Sequence, residues 1–486
     1  MDARRLFRAA LLPYAVVALV FVGLRVWSYW DVFGRPGTVY PDTQVYEQMT
    51  SMSVLNGDFW VGKTLKAPGV ALFWKILPGS TAMSASYGQW LVSVAAWLVL
   101  ATVVATTLRG RRFPVVGFSV ILAFALTPLV AQWDGVLLTE SLSISTTVLL
   151  LAALTLVLTR PNWWTVAFVL AAAVCGALAR DQNSVFALLL IVPVAVVVFW
   201  RDHRRNVGFA LAGGAALVFI GSTLSVNHRG NEIGMAENVA VRVLPDPPTL
   251  RYFRAHGMPV IPNMYSELVS NRFPPSRFYQ APELESFRRW VRLRGNNVYL
   301  RWLVTHPSAS LGEPLRNLDR VVSPPKSLPE GLDFFRPPGY SNALPKLVRT
   351  IFYPQTGWLV VVWMCIVGVL TLVAALMGYA RRAWLVPALV LVSTIPMGIF
   401  VWNADAAGRE RHTLPEGLFG RLAMWMLVLY VVDAFLAARA AERGQADAEP
   451  AGSGVSTGSS ALQGKTIQRS VRLQTYSDWM TERGFS

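Results

Sequence analysis

Residues 137–158 read LLTESLSISTTVLLLAALTLVL. One acid, Glu140, stands near the start, and no charge follows from Leu142 to Leu158. A bilayer's ~30 Å of hydrocarbon is crossed by about 20 helical residues at ~1.5 Å each, so the run is long enough to span. It does not stand alone. Comparable runs occupy 9–30, 87–108, 113–131, 163–180, 184–200, 207–226, 356–379, 383–402 and 418–438. The chain is therefore expected to be an all-α polytopic membrane protein with about ten transmembrane helices. The 184–200 run is short enough to be tilted or partly re-entrant, and few residues separate 113–131 from 137–158.

Composition agrees. Of 486 residues, 53% are hydrophobic and 15% charged, less charge than a soluble surface of this size carries. The net charge of +16 does not indicate nucleic acid, because the basic residues form short clusters between apolar runs, where they set topology and meet anionic headgroups. Arginine outnumbers lysine, and Ala and Val abound, a weak sign of a GC-rich bacterial genome. Cys175 and Cys365 lie in apolar runs and have neither disulfide nor metal spacing. No small-x-small cleavage site follows the first run, which reads as a retained helix and insertion signal.

With the N-terminus in the cytoplasm, the segments on that side are Arg4-Arg5-Arg8, Arg109–Arg112, Arg160–Trp164, Arg201–Arg205, Arg381-Arg382 and the tail, all basic. The short segments opposite, Trp133-Asp134 and Asp181-Gln182-Asn183, carry acid or amide groups. The positive-inside rule is met at every short loop. The organisation follows: an N-terminal membrane module, 1–226, with seven helices and a first outer loop at 31–86; a long extracytoplasmic loop, 227–355; C-terminal helices, 356–439; and a low-complexity cytoplasmic tail, 440–486, read as disordered. In the long loop, Ala281–Ser308 alternates Trp and Leu with Arg and reads as an amphipathic helix on the membrane surface. Residues 323–340 are rich in Pro and Gly and read as irregular. No internal repeat is evident, which weighs against transporters built from two related halves.

Ionisable groups near hydrocarbon cost several kcal/mol unless paired or wet, so they mark function. Five clusters stand out, all on the extracytoplasmic side. Asp42, after Pro41, suits a helix N-cap or a general base; Glu47 follows it. Lys63 and Lys66 precede a Pro68-Gly69 turn and suit a phosphate, or an ordinary interfacial position. Asp134 and Glu140 flank the start of the opening run; Glu140 needs a cavity, a cation or a helix-to-helix hydrogen bond. Arg180 is a phosphate ligand by its forked donors, or the partner of Asp181. Arg409, Glu410, Arg411 and His412 read as an anion site held by a carboxylate. No Walker loop, dinucleotide fingerprint, nucleophile elbow or zinc spacing appears.

In this order, the clusters resemble those of the GT-C superfamily of membrane glycosyltransferases, the group that includes the polyprenyl-phosphate-mannose protein mannosyltransferases, the aminoarabinose lipid A transferases and the actinobacterial mannosyl- and arabinosyltransferases. The likeness rests on Pro41-Asp42-Thr43, Lys66-Ala67-Pro68-Gly69, Leu138–Leu142, Ala179-Arg180, Tyr299–Trp302 with His306-Pro307, and Glu410-Arg411-His412 with Pro415. Two features depart from it. Many relatives pair acids in the first outer loop, whereas Glu47 lies five residues beyond Asp42; many also carry a soluble C-terminal domain.

The resemblance implies transfer of one hexosyl or pentosyl unit from a polyprenyl-phosphate sugar to a hydroxyl of an envelope glycan, lipid or protein, outside the cytoplasmic (inner) membrane. Asp42 is the implied base, with Glu140 supporting it or binding sugar. Lys63, Lys66, Arg180, Arg409, Arg411 and His412 are the implied phosphate ligands, and Tyr299 and His306 further candidates. No ligand spacing requires a cofactor, although a divalent cation could bridge Asp42 and a donor phosphate. Membrane lipids are expected partners, and nucleic acid is not. Three rivals remain: a glycan ligase or polymerase using a diphosphate-linked donor, a lipid or solute transporter, and a relative that has lost activity.

Overall fold

All ten apolar runs are helical in a computed structural model of the chain. The structure describes residues 3–448 except 34, 36, 62–65, 111–112, 202–203, 230–231, 272–274, 324–335 and 405–408. Among the described residues, eight helices are long and apolar enough to cross a membrane, or nine if one bent pair counts as a single span. The tenth run forms Trp163–Ala179, at 17 residues just short of that length. Among the described residues there is no strand, only an isolated parallel bridge between Thr38 and Val136.

The bent pair has a local cause. Phe113–Ala125 and Pro128–Gly135 meet at 66°. Pro128 lacks an N–H and disfavours helical backbone in the residue before it; Thr127 is accordingly extended, at φ −65°, ψ 143°. The short run at 184–200 is instead one continuous helix, Gln182–Arg201, with Pro193 inside it.

Burial sorts the helices. Glu140–Thr159 is 83% buried across its apolar window, whereas Gly357–Leu376 is 22% buried and Leu11–Ser28 17%. A helix apolar all round, as the first is, belongs at the centre, surrounded by other helices. The last two present Leu, Val and Trp outward, as lipid-facing helices do. Two buried arginines tie elements together. Arg25, at the end of the first helix, pairs with Asp134 and donates to Ser93 Oγ at 2.9 Å and the Ala125 carbonyl at 3.2 Å. Arg421 donates to the carbonyls of Val322, Gly417 and Pro354, pinning both ends of the 322–354 segment to the last helix.

The long segment between the seventh and eighth apolar runs has a core of its own, built from residues between Met235 and Trp302. This changes the reading of Ala281–Ser308. It is not one surface helix but Glu285–Trp290 and Asn296–Thr305, joined by a wider π turn at Val291–Gly295. Its Trp290, Val291, Val298 and Trp302 fill that core, and Leu293, Leu300 and Val304 are left outward. The face bearing Trp290, Val298 and Trp302 is covered by protein. Part of the expected irregular stretch 323–340 lies outside the described residues; 336–345 has no regular structure. The chain divides after Leu436. Beyond that point the structure describes only the end of the Leu414–Ala448 helix, and most of the expected tail lies outside the described residues.

Candidate active site

The segment after the first helix begins by docking on the turn before Glu140. Thr38 N–H donates to the Gly135 carbonyl at 2.8 Å, and Leu137 N–H to the Thr38 carbonyl at 3.1 Å. Thr43 Oγ1 donates to the Leu137 carbonyl at 3.0 Å and accepts from Tyr40 N–H at 2.9 Å. The helix Pro41–Ser51 is thereby capped by Tyr40, not Asp42. Asp42 lies in the first turn, where the helix dipole favours an acid, and its carboxylate is left to face other side chains.

It faces cations. Asp42 Oδ2 lies 2.9 Å from Lys66 Nζ and 3.0 Å from Arg411 Nη2. Arg411 also reaches Glu140, with Nε 3.3 Å from Oε1, so one guanidinium bridges the two carboxylates. Arg180 Nη1 lies 4.0 Å from the same Glu140 oxygen, and Arg180 Nη2 meets His412 Nδ1. Six expected site residues, drawn from positions 42 to 412, thus form one group. Its depth is graded: Glu140 is almost wholly buried, Arg180 and Asp42 slightly less so, and Lys66 and Arg411 are the most open.

Glycine makes part of this assembly possible. A Cβ on Gly69 would come within 2.5 Å of the Leu178 carbonyl carbon and oxygen and 2.7 Å of Ala179 N. Only a residue without a side chain lets the Lys66–Gly69 turn press against the end of the helix that delivers Arg180.

The charges act on one another. Burial by itself would raise the Asp42 pKa, but Lys66 and Arg411 outweigh it and hold the carboxyl well below the usual carboxylate range. Burial would likewise lower Arg411, yet the Glu140 and Asp42 carboxylates hold it above its ordinary value. Asp42 is thus ionised at neutral pH but strongly neutralised, and a carboxylate so held is a weak base. Between Asp42 and Glu140 lies the Arg411 guanidinium, which contacts both. Among the described residues no group of three His, Cys, Asp or Glu could hold a metal ion.

Other expected residues lie elsewhere. Glu47 is exposed; five residues rotate a helical position by ~140° net at ~100° per residue, which takes it off the Asp42 face. Asp134 is buried with Arg25 and accepts from Ser141 Oγ at 2.7 Å. Tyr299 belongs to the core of the long segment: its hydroxyl donates to the Asn403 carbonyl at 2.7 Å and accepts from Arg242 at 3.1 Å. Arg242 also bonds Asn403 Oδ1 and Glu313. His306 packs on Trp302 and Tyr252, with Nδ1 near Thr305 Oγ1 and the Trp302 carbonyl. Lys63 lies outside the described residues, as do the side chains of Arg409 and Glu410.

Two neighbours escaped the sequence reading. Tyr46 is buried four residues after Asp42 and lies in the field of Asp42, Glu140, Arg411 and Arg180; its i+4 spacing was the available signal. Glu416 is buried close enough to feel Arg180. Like Glu140, it is an acid at the start of an apolar helix, but it precedes the run at 418–438.

No family model matches the chain, and no curated protein matches it. Two solved structures of an archaeal oligosaccharyltransferase from Archaeoglobus fulgidus are similar. One, described as AglB in complex with an inhibitory peptide and a dolichol-phosphate, is 11% identical with a TM-score of 0.46, over 92% of this chain and 52% of that one. The apo form gives 11% and 0.42, over 92% and 53%. The chain spans about half the length of these proteins.

Proposed function

We propose that the protein is a GT-C-type membrane glycosyltransferase that moves a sugar from a polyprenyl-phosphate donor to an acceptor hydroxyl, at the membrane face bearing Asp42. The observation that carries this reading is the convergence of Asp42 and Glu140 with Lys66, Arg180, Arg411 and His412 at the outer ends of apolar helices. A leaving phosphate needs fixed positive charge where its own charge develops. Direct displacement needs one base opposite it.

In the proposed step the acceptor oxygen attacks the anomeric carbon and its proton passes to Asp42. The bond from that carbon to the phosphate oxygen breaks, the electron pair leaves with polyprenyl phosphate, and the anomeric centre inverts. Lys66 and Arg411, the more open cations, meet the donor phosphate first. Drawing them away from Asp42 removes what suppresses its basicity, so donor binding prepares the base.

The test is sugar transfer by purified protein from a panel of labelled polyprenyl-phosphate sugars to native membrane glycan, wild type beside Asp42→Asn. Wild-type transfer that falls ~10²–10⁴-fold in a well-folded variant, the usual contribution of a general base, supports the reading. Transfer that survives moves the base to Glu140. No transfer from any monophosphate donor sinks the reading and favours a diphosphate-linked donor.

A further inference from the structure

A cavity of about 390 Å³ lies between the ends of the Ala82–Thr107 and Glu140–Thr159 helices and the turn at Arg381-Arg382-Ala383. Glu140 opens the second of these helices, inside the Asp42 group, and Thr159 closes it. At ~1.5 Å per residue the two ends stand ~30 Å apart, one hydrocarbon thickness. The cavity therefore lies at the opposite membrane face from the candidate active site.

Its lining has two parts. Arg160, Arg381 and Arg382 arrive from two separate segments; Arg160 and Arg382 are exposed and Arg381 half-buried. Val103, Leu158 and Ala383 form a buried apolar wall. Asp433 lies 3.9 Å from Arg381, but its carboxylate already accepts the backbone N–H groups of Arg109 and Gly110, each at 3.0 Å. Arg381 also donates to the Thr107 carbonyl at 3.2 Å, which holds it at the cavity.

We propose that this cavity binds the phosphate headgroup of an anionic membrane lipid. Guanidinium forks match phosphate oxygens, and basic pockets between spanning helices take such headgroups. The apolar wall beside the arginines suits the start of an acyl chain, which a soluble phosphate does not have. The site is independent of the transfer reaction.

The experiment is native mass spectrometry of the full chain in mild detergent, titrated with phosphatidylglycerol, phosphatidylcholine or inorganic phosphate. Phosphatidylglycerol adducts are expected to form in preference to phosphatidylcholine and to survive excess inorganic phosphate. In Arg160→Gln/Arg382→Gln, binding should weaken about 30-fold, or ~2 kcal/mol at ~1 kcal/mol per arginine near the surface. Arg160→Lys/Arg382→Lys should retain most of it. If the double variant does not fold, Arg160→Gln alone, at an exposed position, should show about a fivefold loss. Equal binding of the two lipids, or equal binding by wild type and the Gln variants, overturns the proposal. Displacement by inorganic phosphate at concentrations comparable to the lipid also overturns it, by putting a soluble anion in the cavity.

Discussion

Asp42 shares its Oδ2 with Lys66 and Arg411, and that pairing has a consequence in pH. Its folded pKa is depressed, so its contribution to stability is present above the unfolded value of ~3.9 and is lost as pH falls through the folded one. Asp42→Asn should therefore melt lower than wild type at neutral pH, and the gap should narrow once pH drops below about 4. Melting curves at several pH values check this; a gap independent of pH would mean that Asp42 stabilises by something other than its charge. Arg411 gives a second test. It reaches Asp42 through Nη2 and Glu140 through Nε, and one lysine ammonium cannot occupy both places. Arg411→Lys keeps the charge but should lose one of the two ion pairs, costing about 1 kcal/mol in chemical denaturation, with transfer impaired as well. Stability equal to wild type would show that the bridge is not needed. None of this pairing was readable from residue order. Asp42 as a capping residue was the local expectation, and Tyr40 takes that place because Thr43 bonds back to its N–H.

Between neighbouring helices and turns, close approach and buried charge set the energetics. Gly69→Ala would push a Cβ against the Leu178 carbonyl. Overpacking of that kind costs ~1–3 kcal/mol and would displace Lys66 from Asp42. Both a lower melting temperature and weaker donor binding are expected; unchanged donor binding would separate the turn from the site. Asp134→Ala should cost more, ~3–5 kcal/mol, because it strands the fully buried Arg25 without its counter-charge. Denaturation of the variant checks this, and Asp134→Asn should recover only part of the loss. The arginine-rich helix of the long segment shows where periodicity misleads. An apolar stripe states that a face is covered, not by what, and here Trp290, Val298 and Trp302 pack on a protein core.

Across the whole chain, the two charged regions lie at opposite ends of Glu140–Thr159, and labelling can test this. With Cys175 and Cys365 replaced by Ser, a cysteine at the exposed Leu55, on the Asp42 side, and another at the exposed Arg160 should react with an impermeant thiol reagent from opposite sides of sealed vesicles. Labelling of both from one side would contradict the spanning arrangement. The helices were legible because a bilayer leaves a backbone nowhere to satisfy its N–H and C=O groups except within itself, so apolar length alone dictates helix. The candidate site was legible as a set of residue types at helix mouths, since ionisable groups there need a reason. Which of them meet was not. The bridging of Asp42 and Glu140 by Arg411, the separation of Asp134, Tyr299 and His306 from that group, and the buried Glu416 all depend on contacts between residues far apart in the chain, and such contacts arise only when the helices pack.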